Sequence, residues 1–176
     1  MQTFLPYSDF RRSVTVLDNR RLCKQIVEAW QIYTGRVPQA NHPACLMWAD
    51  ARPALARYIF KACEEYAARF GKDHSILAQL LEHPAPASGR HEFKAPAVMR
   101  LSHCVNLWRK GVAVPAMRHE VENLTSRLHI IVPILPEVFP DGYYWPVIPE
   151  GQKARADREN WREFWNRHEP VNGLRV

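Results

Sequence analysis

The chain has 176 residues, the length of one ordinary domain, and 47% of them are hydrophobic, enough for a buried core. Charged residues make up 24%, which excludes a disordered or supercharged chain. The formal net charge of +6 favours polyanionic partners, with nucleic acid ahead of an anionic membrane surface. Four cysteines (Cys23, Cys45, Cys63, Cys104) are scattered without CxxC spacing, no apolar run follows a basic start, and the longest apolar stretches are too short to span a bilayer. The expectation is a cytoplasmic protein with reduced, buried thiols.

Helical periodicity dominates, strand alternation is nowhere convincing, and no repeat or linker divides the chain. A first long helix begins at Asp18 as N-cap, with Leu17 and Leu22 spaced as a hydrophobic staple. Leu22, Ile26, Trp30 and Tyr33 form its buried stripe, and Gly35 ends it. A second helix starts near Pro53, buries Leu55, Ile59, Ala62, Tyr66 and Phe70, and stops at Gly71. Asp73 caps a shorter helix through Leu81, and residues 84–96, with three prolines, form a loop. Further helices are expected over 97–110 and 116–129. A proline-punctuated loop over 132–149 carries Tyr143, Tyr144 and Trp145. A last helix over 152–168 has Trp161, Phe164 and Trp165 on one side. The expected class is all-α, one compact helical domain over 1–176 with long connecting loops.

The face of the first long helix opposite its apolar stripe carries Arg21, Lys24, Gln25, Glu28 and Gln31. Arg21, Gln25 and Glu28 share a surface at steps of four and three. One reading is a solvated face on which Glu28 pairs with Lys24 or Arg21. The other gives phosphates to the cations, including Arg20, and proton transfer at a sugar to Glu28. Spacing alone does not choose between them.

The opening TFLPYSDF followed by SVTVLDNRRLCKQIVEAWQI resembles the start of the bacterial and phage pyrimidine-dimer DNA glycosylases of the endonuclease V type. NHPACLMW at 41–48, LSHCVNLWRKG at 101–111 and YYWP at 143–146 follow in the expected order. The resemblance implies a helical enzyme that excises a damaged pyrimidine by attack of an N-terminal amine on the sugar C1′, forms an imine to the ring-opened sugar, and then cleaves the strand. It implies that Glu28 is the glutamate assisting proton transfer, that Arg21 lies near the DNA, and that no metal or organic cofactor is needed. An α-amine with a pKa near ~7.7–8.0 is partly free base at neutral pH, and neighbouring cations such as Arg21 and Lys24 lower it further.

Gln2 departs from the family's prototype, in which removal of the initiator exposes a threonine. A glutamine blocks that removal, so the amine is assigned to Met1, two residues before Thr3, with Lys24 as a second candidate nucleophile. Thr3 is counted among the DNA contacts. Asn41 and His42 read either as a turn into a short helix, with His42 capping it, or as contacts to a phosphate or an extruded nucleotide. His42 and Cys45 are spaced as a metal pair but lack a second pair, so no zinc is expected.

His103 and Asn106 share a helix face, with Arg109 and Lys110 near its end. They offset the helix dipole or hold the DNA backbone, and His103 reads equally well as a buried histidine. Tyr143, Tyr144 and Trp145 plug a core or stack on a distorted duplex. The expected partner is double-stranded DNA, with no membrane and a monomer favoured. Two rival readings keep the basic surface: a transferase that modifies a DNA base using Glu28 as general base, and a non-catalytic DNA-binding module.

Overall fold

Among the described residues, the computed structural model holds seven α-helices and one 3-10 turn. They are α1 (Phe10–Thr15), α2 (Asn19–Thr34), α3 (Pro43–Leu46), α4 (Arg52–Phe70), α5 (Ser75–Glu82), α6 (Ala97–Arg109), α7 (Pro115–Arg127) and the turn Pro136–Val138. The described residues are 2–38, 40–112, 114–131, 133–145, 161, 163, 164, 166 and 167. The all-α expectation holds. Of the helix expected over 152–168, the backbone at 161, 163, 164, 166 and 167 is helical, and the rest lies outside the described residues.

Local chemistry sets the ends of α2. The Asp18 backbone is extended, and its side chain accepts the N–H of Arg21 at 2.8 Å. Burial raises the Asp18 carboxyl, but the Arg21 backbone N–H and guanidinium outweigh it and hold the group below its ordinary value. Gly35 closes the helix with φ +73°, a left-handed conformation that a side chain would strain. Leu22, Ile26, Ala29 and Tyr33 are buried, while Trp30 is half-buried and stacks on Tyr33 with ring centroids 5.5 Å apart.

Several expectations need correction. Six residues preceding α2 form α1, capped by the Asp9 carboxylate on the Arg12 N–H, and no periodicity in so short a stretch announced it. The cap of α5 is His74, not Asp73: its Nδ1 accepts the Ile76 N–H at 3.2 Å, which suits a ring whose burial lowers its pKa and favours the neutral form. On α4 the inner face is Leu55, Tyr58, Ile59, Ala62 and Cys63. Tyr66 is only half-buried and Phe70 is exposed, because the last turn of the helix overhangs the core.

α4 packs against both α1 and α2, and α6 packs against α7. Arg69 ties the end of α4 to the α1–α2 junction by donating to the carbonyls of Leu17 at 2.6 Å and Thr15 at 2.8 Å. α6 serves two clusters of buried side chains. Met99 and Leu107 join the larger core with α2 and α4, while Val98, Leu101, Cys104 and Val105 join Val121, Leu124, Trp161 and Phe164. Cys45, Cys63 and Cys104 are buried, and burial raises all three thiols, Cys63 to about 12. No helix among the described residues is long and apolar enough to cross a membrane.

Candidate active site at the N-terminal segment

Residues 3–7 are buried without belonging to a helix or a sheet, so their backbone polar groups must find side-chain partners. Four helices supply them. From α1, the Ser13 hydroxyl accepts the Tyr7 N–H and donates to the Tyr7 carbonyl, both at 3.2 Å. From α2, Gln25 accepts the Phe4 N–H at 2.7 Å and donates to the Gln2 carbonyl at 2.7 Å. From α4, the Tyr58 hydroxyl donates to the Phe4 carbonyl at 3.2 Å and lies 3.1 Å from the Gln25 oxygen. From α6, His103 Nδ1 accepts the Leu5 N–H at 2.8 Å. Thr3 is fully buried, and its hydroxyl accepts from the Trp48 indole at 2.9 Å.

His103 is fully buried, and that burial lowers its pKa to about 3, so the ring is neutral. Because Nδ1 accepts, the ring proton sits on Nε2, which lies 3.1 Å from the Gln2 side-chain amide. The Gln2 amide must therefore turn its oxygen, not its nitrogen, toward the ring.

The result is that Gln2 stands beside Glu28. The Gln2 N–H donates to Glu28 Oε2 at 3.0 Å, and Lys24 Nζ lies 3.7 Å from Glu28 Oε1. The Glu28 side chain is 14% exposed, so it is neither sealed in the core nor loose in solvent. It faces a cavity of about 610 Å³, within the usual range for a small-ligand pocket. Four cations line that cavity (Arg20, Arg21, Lys24 and Lys110), and among the described residues Glu28 is the only carboxylate in the lining. Arg21 is already committed, to the Asp18 carboxylate and to the Lys110 carbonyl at 2.9 Å.

Part of the lining is aromatic. Phe4, Tyr143, Trp145 and His42 form a chain of edge and tilted contacts with centroid distances of 5.5 to 6.0 Å. Lys110 Nζ stands 5.9 Å from the Tyr143 ring. His42 also caps α3, its Nδ1 accepting the Ala44 N–H at 3.0 Å, so the capping and cavity readings of this residue describe one side chain.

Of the residues singled out from the sequence, Arg20, Arg21, Lys24, Gln25, Glu28, His42, Lys110 and Trp145 line the cavity. Thr3 and His103 lie behind it as buried supports, and Met1 falls outside the described residues. Asn41 is exposed and absent from the lining. Asn106 is buried and donates to the carbonyls of Ser102, at 2.8 Å, and Gly142. Arg109 gathers the carbonyls of Pro136, Phe139 and Pro140, which folds the 136–142 loop onto α6. The Tyr144 N–H donates to Ser102 at 2.8 Å and its half-buried side chain packs against both core clusters rather than lining the cavity.

Tyr143 of the aromatic loop lines the cavity beside Trp145, and so do Phe4 and Gln2, which the sequence did not mark as site residues. Side chains two apart in a chain that is locally extended share a side, so the pairing of Tyr143 with Trp145 was open to inspection. Gln25 was expected on the polar face but is 2% exposed. Gln25→Ala should strand the Phe4 N–H and the Gln2 carbonyl, lowering unfolding free energy by about 2 kcal/mol in a denaturant titration.

Among the described residues no group of three or more His, Cys, Asp or Glu side chains converges to hold a metal. No curated protein and no solved structure matches the chain. Residues 1–78 match the model of the pyrimidine dimer DNA glycosylase family, so the N-terminal segment, Glu28 and Gln25 lie within the stretch shared with that family, while Lys110, Tyr143 and Trp145 lie beyond it.

Proposed function

We propose that the protein excises a damaged pyrimidine from duplex DNA, receives the extruded nucleotide in the cavity at Glu28, and then cleaves the abasic strand. The family match over residues 1–78 supports the glycosylase activity. The observation that carries the finer reading is Glu28 itself: among the described residues the one carboxylate in a cation-lined cavity, 3.0 Å from the backbone nitrogen of Gln2. Lys24 is paired with Glu28 and Arg21 with Asp18, which leaves Arg20 and Lys110 for the phosphates on either side of the nucleotide. The aromatic wall offers faces for the base.

In this scheme an amine forms a bond to C1′ as the glycosidic bond breaks and the base departs with a proton. Opening of the sugar ring gives an imine. Glu28 then removes a C2′ proton, and the 3′ phosphate leaves by β-elimination. Two amines compete for the role: the α-amine of Met1, one residue ahead of Gln2, and Lys24 Nζ, 3.7 Å from Glu28.

Borohydride reduction during turnover on a pyrimidine-dimer duplex should yield a covalent protein–DNA adduct, and peptide mapping should locate it on Met1 or Lys24. Absence of both adduct and strand cleavage on dimer and oxidised-pyrimidine duplexes would remove this proposal. One observation favours a second reading, a transferase modifying a DNA base. With Met1 ahead of it, Gln2 N is an amide that donates to Glu28 and has no nucleophilic lone pair, whereas a transferase needs Glu28 only as a base. Nucleoside mass spectrometry of DNA incubated with a candidate donor tests that alternative; unaltered nucleosides end it.

A further inference from the structure

A second hollow, of about 680 Å³, lies toward the other end of α6. The start of α1, the outer side of α4, the 91–97 loop and the last residue of α7 enclose it. Arg11, Arg57, Lys61, Lys94, Arg100 and Arg127 line it, against Asp9 and Glu92.

Among the described residues these cations outnumber the carboxylates within their reach. Arg11 and Lys61 share Glu64, at 3.0 and 2.7 Å. Asp9 is engaged in capping α1. Lys94 and Glu92 stand 3.9 Å apart and are both highly exposed, a pairing that contributes little. Arg57 reaches only the His91 carbonyl, at 3.1 Å, and Arg127 meets no carboxylate among the described residues.

A second, independent feature lies in the wall. Arg100 is 8% exposed and pairs with Glu120 through Nη1 at 2.7 Å, yet its Nε is buried with no hydrogen-bond partner. An orphaned guanidinium donor is uncommon in a folded interior; enclosed and only half-partnered by Glu120, Arg100 adds a fixed positive charge to the wall of the hollow.

We propose that this hollow is a second anion site, taking a phosphate group other than those flanking the nucleotide in the cavity at Glu28. Arg100 and Lys110 are ten residues apart on and just after α6, roughly 15 Å along a helix axis, which a single duplex spans in about half a turn. The phosphate therefore comes from the backbone of the bound duplex or from a free phosphate. The inference concerns charge alone and does not depend on the base chemistry.

The test measures binding of an undamaged duplex by the full chain across a range of salt concentrations. A double variant, Arg57→Ala with Arg127→Ala, removes two exposed cations of the hollow, and Lys72→Ala removes an exposed cation just beyond α4 as a control. Each lost backbone contact should lower the slope of log affinity against log salt by about 0.9, so the double variant should lose about 1 to 2 and the control nothing. Inorganic phosphate is titrated in parallel by calorimetry. Phosphate binding that disappears in the double variant, with the duplex slope unchanged, assigns the site to free phosphate. A double variant that matches the Lys72→Ala control in slope and the parent in its response to phosphate overturns the site. Excision enters neither arm, so a failure of the glycosylase reading leaves this result interpretable.

Discussion

Glu28→Gln is expected to lower single-turnover excision of a pyrimidine lesion by about 10²- to 10⁴-fold, the usual contribution of a positioned acid–base group. The substitution keeps the shape and leaves an amide oxygen that can still accept the Gln2 N–H, so the N-terminal segment stays in place. What disappears is the charge and the ability to take a proton. Among the described residues Glu28 is the one carboxylate in a lining that carries four cations, so duplex affinity should hold or rise, as fluorescence anisotropy will measure. Unchanged turnover in this variant would take Glu28 out of the chemistry.

The second large effect is on stability in acid. His103 binds a proton near pH 6.5 when unfolded but only near pH 3 in the folded chain, where both ring nitrogens are engaged. The folded pKa is depressed, so the unfolded state takes up the extra proton between these limits, and stability falls as pH drops through that window. At pH 4 the loss from this one group amounts to about 3 kcal/mol, at 1.36 kcal/mol per pH unit. His103→Gln retains an acceptor for the Leu5 N–H and does not titrate. Its unfolding free energy should therefore change less steeply than the parent's from pH 6.5 to 4 in urea titrations. Identical pH dependence for the two proteins would mean that His103 is not held neutral by the fold.

The long helices were legible because their signals are local. Asp18, Leu22, Ile26, Tyr33 and Gly35 mark α2 within a few turns, and Pro53 and Gly71 bracket α4 in the same way. α1 was not legible, since six residues complete too few turns to show a period. The exchange of Asp73 for His74 as a cap also escaped, because either side chain can accept from a first-turn N–H and only the packing of His74 against Tyr66 decides between them.

The site divides along the same line. Three of its cations and Glu28 lie on one helix and were found together. Gln25, a polar residue in a polar stretch, reads as solvent-facing until the buried segment it holds is known. His103 and Gln2 meet across 101 residues of sequence, and no spacing rule reaches that far.

The burial of residues 3–7 bears on how the protein can be handled. Thr3 is sealed against Trp48, and Gln2 already lines the cavity, so a purification tag fused ahead of Met1 would have to exit past Glu28 and obstruct it. An insertion in the exposed stretch at residues 86–88 avoids that obstruction, so protein labelled there should retain whatever activity the tagged start suppresses.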